Sequence, residues 1–131
     1  MFDNKFTRTL GDHFIYRINV DFINKETKLI FGGHPEVDLK EKYELIFSEI
    51  KCQDFDDFDF QNIFTAMEIK DSFSHFMEVK QDYIEKMKNY FPSGLLKSIK
   101  EDKTLKYYYL HPTAGLGGFV ICKQADIRNL E

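Results

Sequence analysis

The run CQDFDDFDFQ, Cys52 to Gln61, sets four aspartates, Asp54, Asp56, Asp57 and Asp59, among Phe55, Phe58 and Phe60. Such a cluster has three chemical uses. It can hold a hard cation, supply a general acid and base, or present negative charge to a basic partner. A calcium loop of the EF-hand kind requires glycine at its sixth position and a bidentate glutamate at its twelfth. Counted from Asp54, these positions hold Asp59 and Thr65, so the motif fails. Acid and base work needs two carboxylates in unlike environments. Crowded aspartates free to face water offer no such contrast. What remains is electrostatic complementarity, in which a fixed negative patch speeds encounter with a basic surface. The plainer reading is a solvated face held by phenylalanines that point inward.

The histidines carry less. His111-Pro112-Thr113 has the His-x-Thr form used by 2H phosphodiesterases, but that fold needs a second copy. His13, His34 and His75 are followed by Phe-Ile, Pro-Glu and Phe-Met, so none supplies it. His34, Glu36 and Asp38 alternate in a loop yet lack the close-set second histidine of a metal site. No metal or other cofactor is expected. AGLGG, Ala114 to Gly118, is followed by the apolar run FVICK rather than by a helix start, which a phosphate loop requires. Its glycines fit a hairpin turn. Cys52 and Cys122 have no zinc or redox spacing and read as free, buried thiols.

Tyr107, Tyr108 and Tyr109 place two rings on one face of a strand and one on the other. Exposed, Tyr107 and Tyr109 would be good anchors for a partner. Covered on both faces, they would be core.

The elements that must position these groups follow from hydrophobic period. FIYRINVDFI, from Phe14, alternates apolar and polar residues and reads as a half-buried strand, with Lys28 to Phe31 returning as a hairpin arm after a polar turn. Tyr43 to Cys52 is apolar on both faces and reads as a central strand. Asn62 to Lys70 fits strand or helix spacing, and its β-branched content favours strand. Phe76, Met77, Tyr83, Ile84, Met87, Tyr90 and Phe91 recur at helical spacing. They predict one long amphipathic helix over about 74–91, capped by Ser72 or Ser74, ended by Pro92 and braced by an Asp82 to Lys86 pair. A short helical turn capped by Ser93 follows, and then a second hairpin around AGLGG.

The expected fold is α+β, an antiparallel sheet of about five or six strands with that long helix packed on one face. A chain of 131 residues, 43% hydrophobic and 16% aromatic, reads as a single domain over 1–131. The charge of −4 disfavours nucleic acid. With neither an export signal at the start nor a run long enough to span a bilayer, the reading is cytoplasmic.

No motif assigns a reaction, so the sequence leans away from an enzyme. Its leading reading is a small protein-binding domain, immunity-like or antitoxin-like, that offers Asp54, Asp56, Asp57, Asp59, Tyr107 and Tyr109 to a basic partner. Two alternatives stand beside it. One is a ligand binder or enzyme with a helix/sheet pocket using His111 and His34. The other is a homo-oligomer subunit.

Overall fold

The computed structural model describes residues 12–131; the leading run that was read for an export signal falls almost wholly outside them. Among these described residues, six strands and three short helices follow one another. They are β1 (Phe14–Asp21), β2 (Glu26–Gly32), β3 (Glu41–Asp56), β4 (Ile63–Lys70), α1 (Phe73–Val79), α2 (Gln81–Met87), α3 (Leu95–Glu101), β5 (Lys106–Ala114) and β6 (Gly117–Asn129). Every strand pair is antiparallel. The order β1-β2-β3-β6-β5-β4 closes on itself, so the sheet is a barrel rather than an open layer.

Closure is made by β1 and β4 at Phe14 opposite Ile63. Three backbone bonds flank this point: Asp12 N to Phe64 O, Ile15 N to Asn62 O and Phe64 N to His13 O.

The barrel bends because β3 and β6 are long enough to serve both of its halves. The start of β3 pairs with β2 as far as Phe47, and from Tyr43 to Asp56 it pairs with β6. The corner falls at Glu49, whose φ is 54°, and at the register shift between Ile50 and Cys52. A bulge of this kind sharpens local twist and lets one strand turn between sheet directions.

Alternation along the strands then builds two cores. Inside the barrel lie Leu29, Phe31, Leu45, Phe47, Phe64 and Tyr108, among others. Phe31 meets Phe64 edge to face at 5.4 Å and Phe47 meets Tyr108 at 5.3 Å. Outside, the helices cover Cys52, Tyr107, Tyr109, Phe119 and Ile121 with Phe76, Ile84 and Ile99.

The single long helix is corrected. Lys80, at φ −113° and ψ 27°, ends α1 and precedes α2. An unbroken helix over 74–91 would be a rod of about 27 Å. A straight rod leaves the convex wall of a barrel at one end or the other. The break lets Phe76 and Ile84 both stay buried. Ser72 caps α1, its hydroxyl accepting from His75 N at 3.1 Å. The cap position of α3 is Gly94 rather than Ser93. The ion pair in the α2 region joins Lys88 to Glu85 at 3.0 Å, in place of Asp82 to Lys86. Residues 63–70 form a strand, and the last hairpin turns more tightly than AGLGG suggested, with β5 reaching Ala114 and β6 starting at Gly117. No helix among the described residues is long and apolar enough to cross a membrane.

Candidate functional site

The four aspartates do not act as one group. Up to Asp56 the run belongs to β3, where Asp54 lies opposite Phe119, Phe55 opposite Gly118 and Asp56 opposite Gly117. Strand alternation turns Phe55 towards the barrel interior and Asp54 towards the helical layer. There Asp54 is half-buried. Burial raises its pKa, the Asp56 charge adds to the rise, and Lys80 and Lys86 oppose it.

Strand geometry stops at Asp57, which adopts φ 61°. Aspartate tolerates the left-handed region better than most residues, so the chain turns out of the sheet here. Beyond it the expectation of inward-pointing phenylalanines fails for two of the three. Phe58 is 62% exposed and Phe60 is fully exposed, and both stand in water with Asp56, Asp57 and Asp59.

The loop between β3 and β4 is nevertheless tied down. Asn62 Nδ2 donates to Asp59 O at 2.8 Å, and Asn62 Oδ1 accepts from Asp59 N at 3.2 Å. The same Oδ1 accepts from Leu116 N at 2.8 Å, which fastens the loop to the β5–β6 turn. Asp59 Oδ1 accepts from Phe60 N at 2.7 Å. The loop thus offers a fixed backbone with two rings and three carboxylates on it.

Tyr107 and Tyr109 are corrected as surface anchors. Each is 3% exposed, because the face of β5 that carries them lies under the helices. Tyr107 packs on Phe76 at 5.8 Å, and Tyr109 meets the His75 ring edge to face at 5.4 Å. The third ring, Tyr108, fills the barrel. Burial raises all three phenols, and it pushes Tyr108 and Tyr109 well above the usual tyrosine range. Two buried polar atoms in this layer, His75 Nδ1 and Tyr109 Oη, have no hydrogen-bond partner among the described residues.

The two histidines of the alternative pocket lie on different elements. His34 Nδ1 accepts from Glu36 N at 3.0 Å within the β2–β3 loop, and its ring stands edge-on to Phe14 at 5.0 Å. His111 is exposed on β5 opposite Ala66. Among the described residues no group of three or more His, Cys, Asp or Glu is placed to hold a metal ion.

Both cysteines are free and buried. Burial pushes the Cys122 thiol up to about 12. It also raises Cys52, whose Sγ lies 3.8 Å from Tyr83 Oη. Neither is a poised nucleophile.

Sequence reasoning missed the exposure of Phe58 and Phe60. A signal was present: Phe55 and Phe58 stand three residues apart, so a two-residue period that carries Phe55 inward cannot carry Phe58 and Phe60 with it. Phe22 and Ile23 were also missed, read as the end of a strand although they lie exposed in the β1–β2 turn. No protein-family model and no curated protein matches this sequence.

Proposed function

We propose that this chain is a protein-docking domain and that the loop from Asp56 to Asn62 is its docking element. The observation that carries the reading is the pair Phe58 and Phe60, held in water on a loop whose Asn62 side chain bonds back to Asp59 and across to Leu116. Leaving a phenylalanine ring unburied forgoes about 2 kcal/mol of hydrophobic stabilisation. A fixed loop presents such rings at little ordering cost to a partner. Asp56, Asp57 and Asp59 surround them with negative charge, so the complementary surface is basic with an apolar pocket.

An inhibitor of a basic enzyme, immunity-like or antitoxin-like, fits this chemistry. Its carboxylates occupy the place of phosphates and its rings supply the anchors. The anchors are Phe58 and Phe60, in the place first given to Tyr107 and Tyr109.

Two variants test the reading against a partner isolated from native extract. Phe58→Ser with Phe60→Ser should raise Kd at least about a hundredfold, as loss of two anchors implies. Asp56→Asn, Asp57→Asn and Asp59→Asn together should slow association at low salt and lose that effect at high salt. Both should keep wild-type stability to within about 0.5 kcal/mol. A partner with an acidic contact surface, or one that binds both variants unchanged, removes the proposal. Sedimentation showing a dimer that the phenylalanine variant dissolves would assign the loop to self-association instead.

A further inference from the structure

A second surface has the opposite sign. At the corner of the barrel a cleft of about 440 Å³ opens between the β1–β2 turn, the β3 bulge and α3. Phe22, Lys25, Ile50, Lys51, Gln53 and Leu95 line it, and no residue of the acidic loop does. Its size is that of small-molecule sites, which favour the mouths of β-barrels.

Its floor reaches the barrel interior. Ile50 belongs to the inner core, and Gln53 Oε1 accepts from the hydroxyl of Thr27, itself wholly buried, at 2.7 Å. Its rim carries Phe22, 81% exposed. Two strained residues frame it: Lys25 at φ 55° and Glu49 at φ 54°, neither of them glycine. The carbonyl of Lys25 accepts from Ile50 N at 3.1 Å, locking the turn onto the bulge. Such backbone is strained for a residue with a Cβ, and strain of this kind gathers at ligand sites.

The charges decide the ligand. Lys25 and Lys51 both line the cleft, and neither forms an ion pair with a described residue. The one carboxylate in the lining, Asp21, is turned into the β1–β2 turn, accepting from Ile23 N, Asn24 N and Asn24 Nδ2 at 2.8–3.0 Å, and two lysines against this one aspartate leave the lining with a net charge of +1. Asp102 lies within the field of Lys51, but its carboxylate is held by Thr104 and faces Lys123 at 3.9 Å.

We propose that this cleft binds a small organic anion with an apolar body, of the medium-chain monocarboxylate type. The body lies against Phe22, Ile50 and Leu95, and the carboxylate sits between Lys25 and Lys51. The site stands apart from the acidic loop, so either can fail without the other.

The test is a ¹H–¹⁵N shift titration of the full chain with octanoate below its micellar concentration, against octylammonium as the same body with the opposite charge. Octanoate should give saturable shifts centred on Phe22, Lys51 to Gln53 and Leu95, and octylammonium should not. Lys25→Gln with Lys51→Gln should weaken octanoate binding about tenfold or more, the loss expected for charge-assisted hydrogen bonds. Ser98→Glu, a change at an exposed position of the lining, should weaken it as well and serves if the double variant does not fold. Equal binding of the two amphiphiles, shifts centred elsewhere, or unchanged affinity in a folded variant overturns the site.

Discussion

Asn62 shows how much one side chain can hold. Its amide group joins two loops and satisfies the N–H of Leu116, a residue buried in the barrel interior. Asn62→Ala strands that donor, so a loss of about 1–3 kcal/mol is expected from urea unfolding. Asn62→Asp keeps the acceptor and should lose less. Cys122 makes a prediction about pH. Its thiol is held neutral by burial up to about 12, whereas an unfolded thiol ionises near 9. Between these values the unfolded chain has lost a proton that the folded chain keeps. Stability is therefore full below pH 9 and falls as pH rises, by roughly 1.4 kcal/mol per unit from this group alone. Tyr83, Tyr108 and Tyr109 are shifted the same way and steepen the decline above pH 10. Urea midpoints at pH 8, 9.5 and 11 measure the slope, and Cys122→Ala should flatten part of it. A level profile in the wild-type chain would contradict this account.

At the scale of elements, the β3–β6 ladder depends on a glycine. Gly118 has φ 143°, and a Cβ there would collide with the backbone carbonyl oxygen of Asp54 on the neighbouring strand. Gly118→Ala should cost on the order of 3 kcal/mol or more in thermal or urea unfolding, because strain and overlap act together. Ser72→Ala, which removes the α1 cap, should cost only about 1 kcal/mol. Local pattern made several elements readable in advance: the alternation after Phe14, the β-branched run to Lys70 and the two apolar runs around Gly115 all became strands. Pattern failed where a distant surface decided the outcome. Nothing near Lys80 forbids a continuous helix; the curvature of the wall beneath does. Tyr107 and Tyr109 could be judged exposed or covered only by knowing which face of β5 the helices take. The loop from Asp56 to Asn62 was half legible, since the charges were plain while the exposure of Phe58 and Phe60 rests on the turn at Asp57.

The barrel is completed by pairings between distant parts of the chain, with Tyr43 opposite Asn129 and Phe14 opposite Ile63. Loop-closure entropy must be met before such contacts form, so refolding should take milliseconds to seconds in a stopped-flow experiment rather than microseconds. The two cores share β3, β5 and β6 as a common wall, yet the helices contribute only to the outer one. The amides of 73–101 should accordingly exchange with deuterium as one block, ahead of the barrel strands. That division has a practical outcome during storage and handling. If the helical layer detaches while the barrel persists, the wall behind it becomes a sheet of bare aromatic surface, with Tyr107, Tyr109 and Phe119 facing water. Clumping on gentle warming would start from that hidden side, and polar substitutions at Phe58 and Phe60 would do nothing to prevent it.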